Sequence, residues 1–481
     1  MGAVCAVLLI TTVPAPLRAH GKLKSSTPAA GAHLGQVPRQ LRLEFTEPVE
    51  LAFTVVRLTT TTGQPVGLTP IVLAPDSSRV VIARVTGPME AGTYVVTWQV
   101  AGNDGHPVRG TFEFVVAPGA MGTGALARDT SILPDTSMAG MHHDPVTMPA
   151  GNGFGAESPL FVIVRWLQFI GLLLVIGAVA FRYLVLGRIR RTSMQEGEPA
   201  LAAFASNAER RSAGWGLVAV SLLAATLLLR LAAQSYAMHG ASAIDASLVG
   251  SMVRTTVWGW GWLLQLGGVV LAAVGFSRVR SASRGVLQPG RAVPDSFSRW
   301  WALAACGALA AAFSPALSGH ASGSPRLRPL AILADGLHVL GASTWLGTLA
   351  ILLVAGIAAA AGQGRERRAI IVRSLVTTFS PVALASAGLA AATGVFAAWL
   401  HVGSIPNLWG TRYGITLLIK LGILGIVALT GFYNWRYVQP RLGTDDATIR
   451  LQRSARVEVA VAVLVLLVTA VLVASPASMD M

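Results

Sequence analysis

The sequence predicts two kinds of structure in one chain: an all-β, immunoglobulin-like sandwich, then an all-α polytopic membrane domain of eight transmembrane helices. Three observations predict this. Residues 41–116 alternate apolar and polar side chains with period two, interrupted by Gly/Pro/Asp turn signals. Beyond residue 159 come eight apolar runs, most of them long enough to cross about 30 Å of hydrocarbon at 1.5 Å per residue. Charge is also scarce: 12% of the 481 residues are charged and 53% are hydrophobic, against roughly 25% charged in a soluble protein. A single soluble enzyme is excluded, as is intrinsic disorder, which needs low hydrophobicity.

Residues 1–19 read as a signal peptide. An apolar core runs from Ala3 to Val13, Pro14 and Pro16 break it, and cleavage after Ala19 leaves His20 as the mature N-terminus. Residues 20–117 form the sandwich, with strands expected at Leu41–Thr46, Phe53–Thr59, Val80–Val85, Thr93–Val100 and Thr111–Val116. Its core is expected to include Phe45, Tyr94, Trp98 and Phe112. Residues 118–158 are rich in Gly, Ala, Ser and Pro without periodicity, which reads as a flexible linker. The apolar segments of the 159–481 domain lie at about 160–187, 213–236, 257–276, 300–317, 329–356, 375–400, 411–435 and 457–474. Nineteen arginines sit in the loops after segments one, three, five and seven, and four in the loops after segments two, four and six. By the positive-inside rule the first group is cytoplasmic. The sandwich and the C-terminus then lie on the extracytoplasmic side of a bacterial plasma membrane, as an exported leader requires.

The net charge of +15 sits mostly in those loop clusters, so it points to a bilayer and not to nucleic acid. The two cysteines, Cys5 and Cys306, fall in the leader and in an apolar run, which excludes a disulfide in the mature chain and thiol chemistry.

The nine histidines carry the most information. His239, His320, His338 and His401 all fall at the outer membrane face in this topology. The linker holds Met121, Met138, Met141, His142, His143 and Met148, while Met238 precedes His239 and Met252 lies in the same outer loop. Imidazole with thioether and no thiolate favours copper over zinc, with Cu(I) expected in the linker and membrane domain. The strongest local signal is Asn103-Asp104-Gly105-His106-Pro107. In an extended stretch Asp104 and His106 point to one side and can reach one ion. With the amine and imidazole of His20 they make three nitrogens and one carboxylate oxygen, a tetragonal set suited to Cu(II). Taken alone, Asp-Gly-His-Pro is an ordinary turn.

The stretches HGKLKSSTPAAGAHLGQVPRQLRLEFTEPVE and GTYVVTWQVAGNDGHPVRGTFEFVV resemble the CopC family of periplasmic copper-binding proteins across residues 20–117. SGHASG (318–323), DGLHVLGASTWLG (335–347) and GFYNWR (431–436) resemble the CopD family, so the whole chain resembles a CopC–CopD fusion of the copper resistance proteins. The resemblance implies a cupredoxin-like sandwich binding Cu(II) through His20, Asp104 and His106, a copper-handling membrane partner and no enzymatic activity. Gly102-Asn103 departs from the Ser-Ala that more often precedes DGHP in that family.

Asp335 and His338 are three apart, on one helical face, and ionisable groups at that depth usually line a site or pathway. Lys420 and Arg230 are similar anomalies, and Lys420 could pair with Asp335 or gate a path. Trp166, Trp258, Trp260, Trp262, Trp345, Trp399 and Trp409 read as an interfacial belt. The leading expectation is copper captured outside, passed along the linker and delivered to His239, His320, Asp335, His338 and His401, with other extracytoplasmic copper carriers as partners. No GxxxxGK[ST] loop is present, so a copper-pumping ATPase is excluded. The alternatives are a haem-binding membrane redox protein with transmembrane His ligands and an oxidative polysaccharide-cleaving enzyme built on His20.

Overall fold

The structure is a computed structural model of the chain, and it describes residues 23–101, 107–118, 158–196, 199–285, 295–323, 327–441 and 445–474. They fall into two compact units: one holds the strands together with Ser235–Thr256, the other the remaining helical segments.

In the first unit two sheets face each other. One is ordered β1 (Leu23–Thr27), β3 (Gln40–Phe45), β7 (Ser77–Arg84), β6 (Val72–Ala74); the other is β2 (His33–Leu34), β9 (Pro107–Val116), β8 (Gly92–Ala101), β4 (Val55–Thr60), β5 (Pro65–Val66). All neighbours pair antiparallel except β2 and β9. The period-two pattern does what it predicts: Tyr94, Val96, Trp98 and Val100 of β8 point inward against Leu41, Leu43 and Phe45 of β3. Burying each such side chain contributes roughly 1.5–3 kcal/mol. Phe45 and Trp98 meet edge to face across the sheets, with ring centroids 5.2 Å apart. Trp98 also lies over Gly110, its register partner on β9, leaving no room there for a Cβ. The Tyr94 hydroxyl accepts from Glu90 N at 2.8 Å and donates to Glu90 O at 2.9 Å, which fixes the turn into β8. The expected strands are all present. The sequence missed β1, β2, β5 and β6, because three of them are two or three residues long and β1 (LKSST) is mostly polar.

The described residues contain eight helices long and apolar enough to cross a membrane. They are α1 (Pro159–Thr192), α2 (Ala203–His239), α3 (Val257–Ala282), α4 (Ser298–Leu317), α5 (Arg328–Ala360), α6 (Arg365–Val402), α7 (Arg412–Arg441) and α8 (Ile449–Ala474). Helix α2 begins about ten residues earlier than its apolar run, and the added turns carry Glu209, which forms ion pairs with Arg182 and Arg190 of α1 at 2.9 and 3.6 Å. Small residues set the closest crossings, as is usual where lipid competes equally for apolar surface. A Cβ on Gly268 of α3 would lie 2.7 Å from the Gly307 carbonyl of α4, and Gly177 of α1 meets Gly347 of α5 at backbone contact. Among the described residues π-helical turns interrupt the helices at Phe181–Leu186, Ser343–Gly347, Leu352–Ile357 and Asn434–Val438. The tryptophan belt is only partly present. Trp260, Trp399 and Trp409 are exposed, but Trp258 and Trp262 are packed inside, and the Trp262 indole donates to the Leu227 carbonyl at 3.0 Å.

Candidate metal centre

The capture ligands expected from sequence, His20, Asp104 and His106, lie outside the described residues, as do Met138, Met141, His142, His143 and Met148. What surrounds the DGHP connection is described. Strands β8 and β9 pair continuously up to Ala101 and Pro107, leaving residues 102–106 between them. Two residues inside that end, Gln99 and Arg109 face each other across the ladder, and Arg109 Nε donates to Gln99 Oε1 at 2.7 Å. Both then donate to the segment Ser235–Thr256: Gln99 Nε2 to the Met238 carbonyl and Arg109 Nη2 to the Ala237 carbonyl, each at 2.9 Å. Carbonyls in the last turn of a helix lack intrahelical donors, and a cation there is favoured by the helix dipole.

That segment carries His239. Ser235 Oγ donates to the Ala243 carbonyl at 2.7 Å and lies 3.4 Å from His239 Nδ1, a contact that sets the imidazole beside the last turn of α2. Asp245 caps the short helix Ala246–Thr255. Bonds to its carboxylate from the Ser247 hydroxyl, then from the Ser247 and Leu248 amides, hold it below the usual carboxylate range, and its charge reaches His239. Met238 and Met252 are buried, so both serve packing.

In the helical unit the structure brings Asp335, His338 and His401 to the facing surfaces of α5, α6 and α7. His338 Nδ1 lies 2.9 Å from the Ala390 carbonyl and 3.3 Å from Thr393 Oγ1, both on α6. A carbonyl only accepts, so Nδ1 carries the proton and Nε2 keeps its lone pair. Gly394 makes room for the ring: a Cβ there would sit 3.1 Å from His338 Cε1. The charge of Lys420 on α7 reaches both Asp335 and His338, but no ion pair within 4.0 Å joins it to Asp335; Asp335 in turn is felt at Tyr413. The structural-pair reading of Asp335 and Lys420 is thus replaced by a looser constellation. Asp335, His338 and Lys420 are each half-buried within the chain itself. His401, at the end of α6, has its ring 6.4 Å from that of Tyr413. Eight residues of helix separate it from Thr393, a depth of about 12 Å. His320 opens the short helix His320–Gly323, and its side chain is outside the described set.

Among the described residues no group of three or more His, Cys, Asp or Glu side chains is close enough to hold a metal. Asp335 and His338, three residues apart on α5, share one face of that helix. The recorded neighbours of His338 are Ala390, Thr393 and Lys420, none of them an imidazole. Tyr413 and Thr393 were missed in the sequence, where a hydroxyl at a helix end or in an Ala-rich run has no distinguishing pattern.

Fold and site together define a multi-span membrane protein with a β-sandwich unit N-terminal to its helices. The comparisons with known proteins agree. The profile of the CopC domain matches residues 23–117, that of the copper resistance protein D-like N-terminal domain residues 156–325, and that of copper resistance protein D residues 373–472. The copper transport protein CutJ of Bacillus subtilis is 24% identical over 98% of this chain and 76% of its own length. Copper resistance protein C of Pseudomonas syringae pv. tomato is 32% identical over 22% of this chain and 86% of its own. The crystal structure of CopC from Methylosinus trichosporium OB3b matches at 30% identity over 21% of this chain and 95% of that one, with a TM-score of 0.20. The chain belongs to the copper resistance and transport family, and joins a CopC-type domain to CopD-type membrane segments in one polypeptide.

Proposed function

We propose that this protein captures Cu(II) outside the membrane on its sandwich and delivers copper to, and through, its helical domain. The capture ligands are the His20 amine and imidazole, Asp104 and His106, in an exported domain freed by cleavage after Ala19. The relatives' names, copper transport protein and copper resistance protein C, give the cargo its identity. The observation that carries the route is the bonding of Gln99 and Arg109, beside the DGHP connection, to the segment bearing His239. A histidine is thereby tethered to the hairpin that carries two of the capture ligands. From there the receiving groups are His320, His401, Asp335 and His338, and the linker residues Met138, Met141, His142, His143 and Met148 serve as a second, softer relay for Cu(I). A two-ligand set such as Asp335–His338 suits passage better than storage. The bilayer and extracytoplasmic copper donors are its partners, and the role is binding and transfer, not turnover.

The test is copper binding by residues 20–117 made with a true His20 N-terminus, against the same chain with one Gly added before it. One-to-one Cu(II) binding with a nitrogen-rich EPR signal, collapsing when the amine is displaced, is the expected result. Equal, weak binding by both forms would remove the capture site.

A further inference from the structure

A second buried polar cluster lies away from those groups, where α1, α2, α3 and α4 meet. Arg230 of α2 is 6% exposed, and donates from Nη1 to Gln265 Oε1 on α3 and from Nη2 to Ser318 Oγ, just past α4, each at 3.1 Å. Gln168 of α1 donates from Nε2 to the same Gln265 oxygen at 2.9 Å. That oxygen accepts two bonds, its full capacity, which also fixes the amide's orientation. Ser318 in turn donates to the Ser314 carbonyl at 3.1 Å.

The Gln265 oxygen is therefore fully used, and the unpaired buried atoms of Arg230 and Gln265 are donors. Arg230 Nε and Gln265 Nε2 are buried with no hydrogen-bond partner. No carboxylate pairs with Arg230 among the described residues: its partners are two neutral oxygens and the face of Trp258, 5.8 Å from its guanidinium carbon. Arg165, itself buried, adds a second positive charge within electrostatic range. A guanidinium cannot discharge itself by losing its proton, and an uncompensated buried cation is strongly unfavourable. A water molecule would satisfy the orphaned N–H groups, but it brings two protons that need acceptors and no negative charge. An acceptor-only, negatively charged occupant satisfies both conditions.

We infer that Arg230 Nε and Gln265 Nε2 hold a small inorganic anion of the halide class inside the α1–α4 bundle. The site is separate from the Asp335–His338 set and independent of copper. The bound anion neutralises Arg230, with which no described carboxylate pairs.

The test uses the full chain in nanodiscs of zwitterionic lipid, with gluconate replacing chloride and no copper added. Equilibrium binding of radioactive chloride is expected to saturate at about one ion per chain and to be displaced by bromide. Arg230→Gln should weaken it at least tenfold. Gln265→Glu builds a fixed negative charge into the cluster and removes the amide donors, so chloride binding and any chloride dependence of Tm should both disappear while the protein stays folded. The second variant decides the matter should Arg230→Gln fail to fold. Absence of saturable chloride binding in the wild type, or unchanged binding in Gln265→Glu, would overturn the inference.

Discussion

In the sandwich the buried side chains are apolar almost throughout, Thr54 being the one buried polar side chain among its described residues, and the candidate ligands sit at the chain's start and in a hairpin connection. In the helical unit the candidate ligands are on the helices themselves, and the same atoms that offer chemistry also hold helices together. His338 illustrates this: the Nδ1 bond that frees its Nε2 is also a cross-link from α5 to Ala390 of α6. On the proposed ligands, copper binding would be separable from folding in the first unit and coupled to it in the second. The reason is the surroundings. A loop in water can present polar groups freely, whereas a membrane segment must satisfy every one of them internally.

The largest effect that would sharpen this contrast is at the capture site. His106→Ala should lower Cu(II) affinity by about a hundredfold, roughly 2.7 kcal/mol, with an unchanged denaturation midpoint. A midpoint that moves with the affinity would break the separation. The converse is Gly110→Ala, which forces a methyl group against Trp98. Overpacking of this kind lowers stability by about 1–3 kcal/mol, and copper affinity should hold; the readout is denaturant unfolding followed by Trp98 fluorescence. Next comes Arg109→Ala, which removes the donor to the Ala237 carbonyl. The bond is part-buried and worth about 0.5–1.5 kcal/mol, so copper transfer out of the sandwich should slow about two- to tenfold with capture affinity intact, as stopped-flow transfer kinetics would show.

The smallest effect is at Asp245. Its carboxylate is depressed in the folded chain, chiefly by the Ser247 hydroxyl. Such a group contributes stability that is fully present above its unfolded value of 3.8 and is lost as pH falls through the lower folded value. Hydrogen exchange at the Ser247 and Leu248 amides, corrected for intrinsic rates, should accelerate below that pH. Asp245→Asn keeps a capping oxygen that does not titrate, so its corrected exchange should stay flat.

Much of the fold is legible in the sequence because its signals are periodic. The inward residues of β8, Tyr94 to Val100, and the eight apolar runs can be read residue by residue. Strands β2, β5 and β6 cannot, since two or three residues carry no period. Asp335, His338 and Arg230 stand out from sequence by charge in an apolar run. Their partners do not. Gln168 and Gln265 are single amides in separate helices, and only the packing of α1 against α3 shows that they share one oxygen. Met238 and Met252 look like thioether ligands in sequence, and burial makes them core residues. The Gln99–Arg109 contact with Ala237 and Met238 joins residues more than a hundred apart, beyond any local pattern.

The central claim is that copper passes by way of Asp335 and His338. The most direct measurement is copper flux into proteoliposomes holding the full chain, with Asp335→Asn and His338→Gln compared with wild type. The account predicts flux falling at least tenfold in both variants while Cu(II) capture by the sandwich is unchanged. Wild-type flux in either variant would contradict it.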